Sequence, residues 1–127
     1  MKKIIFSENA PSPIGPYSQA TAYNGTLYVS GQIPINPKDG TLVSGDIAKE
    51  TEQVMENLKA ILHAAGIGFE QVLKCSIFMT DMQNYAIINS VYAKYFKEET
   101  APAREAVQVS ALPKGVNVEI SCIAALV

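Results

Sequence analysis

Apolar residues in this 127-residue chain alternate with polar ones, then recur every three to four positions, then alternate again. That switching of period fixes the expected order of elements. Residues 1–6 (MKKIIF) read as a short edge strand. Residues 7–17 (SENAPSPIGPY) carry too much proline and glycine for a helix or a central strand. Residues 18–23 and 26–30 flank Asn24-Gly25, a pair suited to the positive φ values of a type I′ turn, and so read as a hairpin. Gly31-Gln32-Ile33-Pro34 ends it, and residues 36–45 form a turn-rich loop. Asp46 is placed to cap a helix running to about Ala65, whose apolar stripe is Ile47, Val54, Leu58, Ile61, Leu62 and Ala65. Gly66 and Gly68 stop it. Residues 72–80 (VLKCSIFMT) predict a strand with Leu73, Cys75, Ile77 and Met79 on one face. Asp81 then caps a second helix to about Phe96, with a stripe of Ile88, Val91, Tyr92, Tyr95 and Phe96 and with Asn89 at its edge. Residues 102–109 and 116–121 are the last two strands, joined by a turn containing Pro113 and Gly115.

The order β-β-β-α-β-α-β-β predicts an α+β domain spanning residues 1–127, one sheet with both helices on one face. The opposite face keeps apolar side chains, and a symmetric oligomer is the simplest cover for it.

Composition narrows the function classes. A hydrophobic fraction of 48% against 17% charge is the balance of a folded chain, long enough to bury a core without disulfides or metal. The net charge of −2 gives no basic footprint for nucleic acid. Cys75 and Cys122 fall inside strands with no CxxC spacing, as expected of reduced core thiols in a cytoplasmic protein. The N-terminal apolar run is too short for a signal peptide or a membrane span. His63 is the single histidine and lies opposite the stripe of its helix, which leaves no histidine-based triad or multi-histidine metal site.

Two charged residues stand out in weakly polar surroundings, Arg104 and Glu119. If the last two strands form an antiparallel hairpin, matching their apolar sides pairs Val107 with Val118 and Val109 with Val116. Arg104 then faces Ser121, Ala106 faces Glu119, and Arg104 and Glu119 are diagonal neighbours on one face. This admits two readings. One is a structural cross-strand ion pair. The other is an anion clamp, with the guanidinium forking onto a carboxylate ligand, beside a carboxylate that holds or deprotonates a water.

The run Pro102-Ala103-Arg104, with Gln108-Val109, Leu112-Pro113-Lys114-Gly115 and Val118-Glu119-Ile120, resembles the C-terminal signature of the Rid (YjgF) family of reactive intermediate deaminases. Asn9-Ala10-Pro11 with Ile14-Gly15-Pro16-Tyr17-Ser18-Gln19 resembles its N-terminal motif. Val29-Ser30-Gly31-Gln32-Ile33-Pro34 with Asn36-Pro37 resembles its second. The likeness covers nearly the whole chain and is closest to the RidA subgroup. It implies a chorismate-mutase-like α+β subunit, a homotrimer with clefts between subunits, and a cofactor-independent hydrolase acting on C–N bonds. The implied reaction converts 2-aminoacrylate and 2-aminocrotonate, through their imines, to 2-oxo acids and ammonia. By position, Arg104 would bind the substrate carboxylate, and Glu119 would activate water with help from the Ala106 carbonyl. Tyr17 would close the cleft, and Ser30, Gly31 and Asn89 would line it. Two departures from the family pattern stand after Pro-Ala-Arg: Glu105 where many relatives carry a small residue, and Ala106 where several carry cysteine. Alternation sends Glu105 to the face opposite Arg104. The alternatives are a non-enzymatic binder of 2-oxo acids, a chaperone-like protein and, disfavoured by the acidic balance, a ribonuclease or translation inhibitor.

Overall fold

The Asn24-Gly25 turn forms as its sequence requires: both residues take positive φ, 49° and 78°, and they join β2 (Ala20–Tyr23) to β3 (Thr26–Gln32). The computed structural model describes residues 1–127. Its other strands are β1 (Lys3–Ile5), β4 (Val72–Met79), β5 (Ala103–Gln108) and β6 (Val118–Ala125). The two helices are α1 (Ile47–Ala64) and α2 (Tyr85–Tyr92). The element order is the expected one, and all strands join a single six-stranded sheet ordered β1-β2-β3-β6-β4-β5.

In α1 the Asp46 side chain accepts a hydrogen bond from the Lys49 amide at 3.1 Å, capping the first turn. At the other end Gly66 adopts φ 79°. There the Gly66 amide donates to the His63 carbonyl and the Ile67 amide to the Leu62 carbonyl, closing a Schellman motif. Val54, Leu58, Ile61 and Leu62 are fully buried as the stripe predicts, and His63 is exposed. Glu50 and Thr51 fill the stripe between Ile47 and Val54 and are buried too. Both Glu50 carboxylate oxygens accept from Asn117 Nδ2, at 3.1 and 3.2 Å, which ties α1 to the start of β6.

The second helix is shorter than its sequence suggests. Asp81 does cap, accepting from the Gln83 amide at 2.9 Å, but it opens a 3₁₀ turn, Met82–Asn84. A further 3₁₀ turn, Ala93–Tyr95, follows α2, and Phe96 is extended. Packing accounts for the early end: the Phe96 ring sits edge-on to Phe69 at 5.2 Å and 4.7 Å from Tyr92, which holds the chain off the helical path.

Both helices cover one face of the sheet. That face carries Ile5, Ala20, Val29, Cys122 and Cys75 in one row, with Ile77, Ile120, Met79 and Val118 beyond. Leu73 does not join them. A register shift between Val72 and Lys74 puts Val72 in the core and leaves Leu73 53% exposed. The other face presents Ile4, Tyr28 and Val107, each exposed, so the apolar surface expected to need cover is there.

The last two strands do not form a hairpin. β5 pairs with β4 in parallel, and β4 pairs with β6 antiparallel, so β4 lies between the two strands that the sequence suggested were partners. The matched registers are Cys75 with Arg104 and with Cys122, Ile77 with Ala106 and with Ile120, and Phe78 with Val107 and with Glu119. Laterally paired residues share a face. Arg104 and Ala106 therefore lie on the helix side, and Glu119 lies on the opposite side. The expected Val107–Val118 and Val109–Val116 pairs, and the diagonal Arg104–Glu119 contact, do not exist. The physical reason is the connection: parallel neighbours need a crossover, and residues 80–102 supply one that carries α2 over the sheet.

A buried glutamine anchors the proline-rich connector. Gln19 Oε1 accepts from the Ser7 amide at 2.6 Å, and its Nε2 is shared among the carbonyls of Ser7, Ala10 and Pro11 at 2.9–3.3 Å. A segment that cannot form a ladder of its own thus has its backbone groups satisfied by one side chain. Gln19→Ala is expected to cost about 2–4 kcal/mol in urea denaturation, because several buried backbone groups lose their partners at once.

Candidate active site

The residues singled out from the sequence fall into two groups on opposite sides of the sheet. The first is built on β5 and α2. Arg104 is half-buried; its Nη1 donates to Asn89 Oδ1 at 2.7 Å and its Nη2 to Tyr85 Oη at 2.7 Å. The guanidinium carbon lies 5.0 Å from the centre of the Tyr92 ring and 5.7 Å from that of Tyr85, within cation–π range. Tyr85, Asn89 and Tyr92 are spaced i, i+4, i+7 and so share one face of α2. Two of the five guanidinium N–H groups are used inside the chain, which leaves three for an anion.

Beneath this group the Tyr92 hydroxyl is buried and has no hydrogen-bond partner. Burial, with Cys75 beside it, pushes its pKa far above the ordinary phenol value, so it stays neutral. The Cys75 thiol is likewise raised by burial, and the Cys122 thiol is pushed up to about 12. Both cysteines are free and buried, protonated and inert as expected of core thiols.

The second group lines a cavity of about 440 Å³ that contains Tyr17, Gln19, Ser30, Gly31, Lys114 and Glu119. A register shift in β3 between Val29 and Gln32 places Ser30 and Gly31 there. Ser30 Oγ donates to the Ser18 carbonyl at 2.6 Å, which holds the Tyr17 segment against the strand. Gly31 lets the Glu119 carboxylate lie against the strand: an added Cβ would fall 2.8 Å from Glu119 Cδ and push that side chain aside. Burial raises the Glu119 pKa, with no hydrogen bond or cation offsetting it. Lys114, with φ 58° ahead of Gly115 at 69°, is the one cationic residue in the wall.

The sequence reading thus missed Tyr85, Tyr92 and Lys114 as site residues, although the 85/89/92 spacing is visible in the chain. Ala106 lies two strands from Glu119 and on the other face, so within one chain its carbonyl does not flank that carboxylate. Glu105 behaves as alternation predicts. It points away from Arg104, its carboxylate 3.1 Å from Lys74 Nζ and bonded to Ser76 Oγ. The Ser76 hydrogen bond first, and Lys74 second, hold its pKa below the usual value.

One sheet with two helices on one face defines an α+β protein, and it presents a guanidinium on one side and a carboxylate on the other. The model of the family described as Endoribonuclease L-PSP matches residues 7–126. A RutC family protein of Pyrococcus horikoshii is 55% identical over 98% of this chain and 98% of its own. The human 2-iminobutanoate/2-iminopropanoate deaminase is 44% identical over 98% of this chain and 90% of its own. Among solved structures, a Rid-family protein of unknown function from Yersinia pestis superposes with a TM-score of 0.96 at 53% identity, covering 98% of this chain and 99% of that one. Escherichia coli TdcF, solved with bound serine, gives 0.91 at 41%, covering 97% and 98%. The chain belongs to the Rid/YjgF family.

Proposed function

We propose that this protein is a 2-iminobutanoate/2-iminopropanoate deaminase whose site is completed between copies of the chain in a homotrimer. The observation that carries this is the split itself. A guanidinium held by two hydrogen bonds with three N–H donors left over, and a carboxylate whose pKa burial raises, stand on opposite faces of one sheet. Repeating a heterologous contact around a closed ring brings one copy's Arg104 to the next copy's Glu119, and it also covers the apolar face. The human relative's name and the serine held by TdcF support a small amino-acid-derived carboxylate as ligand.

The chemistry follows from the residues. Arg104 receives the substrate carboxylate in a bidentate pair. The enamine tautomerises to the imine, which takes a proton from solvent to become an iminium with an electrophilic C2, so a positioned water suffices. Glu119 takes a proton from that water as its oxygen bonds to C2, and Tyr17 donates to the developing charge. Glu119 then returns the proton to the nitrogen, the C–N bond breaks as the new hydroxyl gives its proton to Glu119, and the leaving ammonia picks that proton up, so a 2-oxo acid and ammonium leave. A raised carboxylate pKa makes Glu119 a stronger base when ionised. No cofactor is needed for these steps.

The test is to generate 2-iminopropanoate from serine with a dehydratase and to follow 2-oxo acid release. Added protein is expected to accelerate release. A folded wild type that gives no acceleration over buffer sinks the deaminase reading.

A further inference from the structure

Arg104 does not wait for a ligand in an open arrangement. Its two terminal nitrogens are already engaged, one by Asn89 and one by the Tyr85 hydroxyl, both at 2.7 Å. A guanidinium is planar and rigid, so two hydrogen bonds to different nitrogens fix its plane and its roll about the Cζ–Nε axis. The Tyr92 ring at 5.0 Å fixes its height above α2. The side chain would otherwise keep several rotamers at a strand that borders solvent. Asn89 alone leaves one rotation free, and Tyr85 removes it.

Resting on the proposed function, we infer that Tyr85 is the positioning residue of the carboxylate subsite. Its hydroxyl oxygen orients Arg104 so that the remaining guanidinium donors meet the substrate carboxylate as a fork. Two features separate this from simple packing. Tyr85 is only half-buried, so its hydroxyl does not need Arg104 in order to be satisfied. Its ring also sits 5.7 Å from the guanidinium carbon, so phenylalanine keeps the stacking and removes the hydrogen bond alone. The hydroxyl therefore acts through Arg104 on ligands that bear a carboxylate and on no others. Loss of orientation weakens the ground state and the transition state together, because the carboxylate is held equally in both.

The experiment compares wild type with Tyr85→Phe in the deaminase assay and in calorimetric binding of two unreactive probes, 2-oxobutanoate and its uncharged amide. In Tyr85→Phe, KM for the imine and Kd for 2-oxobutanoate are expected to rise about 10-fold, with kcat within about twofold of wild type and amide binding unchanged; this shift corresponds to about 1.4 kcal/mol. A melting temperature equal to wild type shows that the fold is kept. An active wild type whose Tyr85→Phe variant keeps KM and Kd overturns the positioning role and leaves the deaminase reading intact. Equal losses for the carboxylate and the amide also overturn it, because a collapsed pocket does not discriminate. If wild type binds 2-oxobutanoate without turnover, the deaminase reading fails, and the Kd comparison decides on Tyr85 alone. If it does neither, both fall.

Discussion

Arg104→Ala is expected to lower kcat/KM for 2-iminopropanoate by about 10²–10⁴-fold while the protein stays folded. The estimate rests on losing a bidentate charge-assisted pair worth about 3–5 kcal/mol. Folding survives because the groups left behind, Tyr85 Oη and Asn89 Oδ1, belong to half-buried residues that water reaches. Arg104→Lys is the sharper comparison. It keeps the charge, but an ammonium cannot bridge Tyr85 and Asn89 while presenting a fork outward, so it is expected to recover only part of the loss. Steady-state kinetics with calorimetry of 2-oxobutanoate binding reads both. An alanine variant with near-wild-type kcat/KM and Kd would remove Arg104 from the site.

Glu119→Gln should act on the other half of the reaction. The amide keeps the shape and cannot take a proton from water, so kcat is expected to fall about 10²–10³-fold with 2-oxobutanoate affinity within about threefold. The pH dependence has a definite sign. Burial raises the Glu119 pKa in the folded, unliganded chain, so wild-type kcat/KM falls about tenfold per unit once pH drops below that raised value. The folded state then binds the proton more tightly than the unfolded state, so this group contributes less stability as pH rises through the window between its two pKa values. Glu119→Gln is therefore expected to melt above wild type at pH 7, with the advantage disappearing once both states are protonated. Calorimetric scans across pH check this. A variant that melts lower at pH 7 and loses ligand binding would make Glu119 a structural group.

The fold was legible wherever a local rule decides. Asn24-Gly25 demanded its hairpin, Asp46 and Gly66 bounded α1, and the alternation from Cys75 to Met79 named the core face of β4. Strand partners were not legible, because periodicity states which side of a strand is buried and says nothing of its neighbour. The chain order favoured pairing residues 102–109 with 116–121, and matching valines supplied a register that looked satisfying. Only the crossover through α2, which sets β5 outside β4, decides otherwise. Motif resemblance pointed to Arg104, Glu119, Tyr17, Ser30, Gly31 and Asn89, but the hydrophobic stripe of α2 hid Tyr92, and Tyr85, outside that stripe, drew no notice. Stripe counting registers a tyrosine by its ring and overlooks its hydroxyl. Glu50 was hidden for a related reason: a charged residue in a buried stripe becomes visible only once its partner, Asn117, comes from 67 positions away.

β5 is an edge strand, laddered to β4 on one side and to nothing in this chain on the other. A strand secured along one flank opens more readily than the centre of the sheet. It also forms late, since its pairing waits for α2 to cross over. Arg104 is therefore carried on a part of the chain that sets late and loosens early. On gentle heating, carboxylate binding should fade while the hairpin, α1 and β6 stay folded. A neighbouring copy docked against that edge would act as a splint, so dilution of the assembly would weaken ligand affinity before it unfolded any subunit.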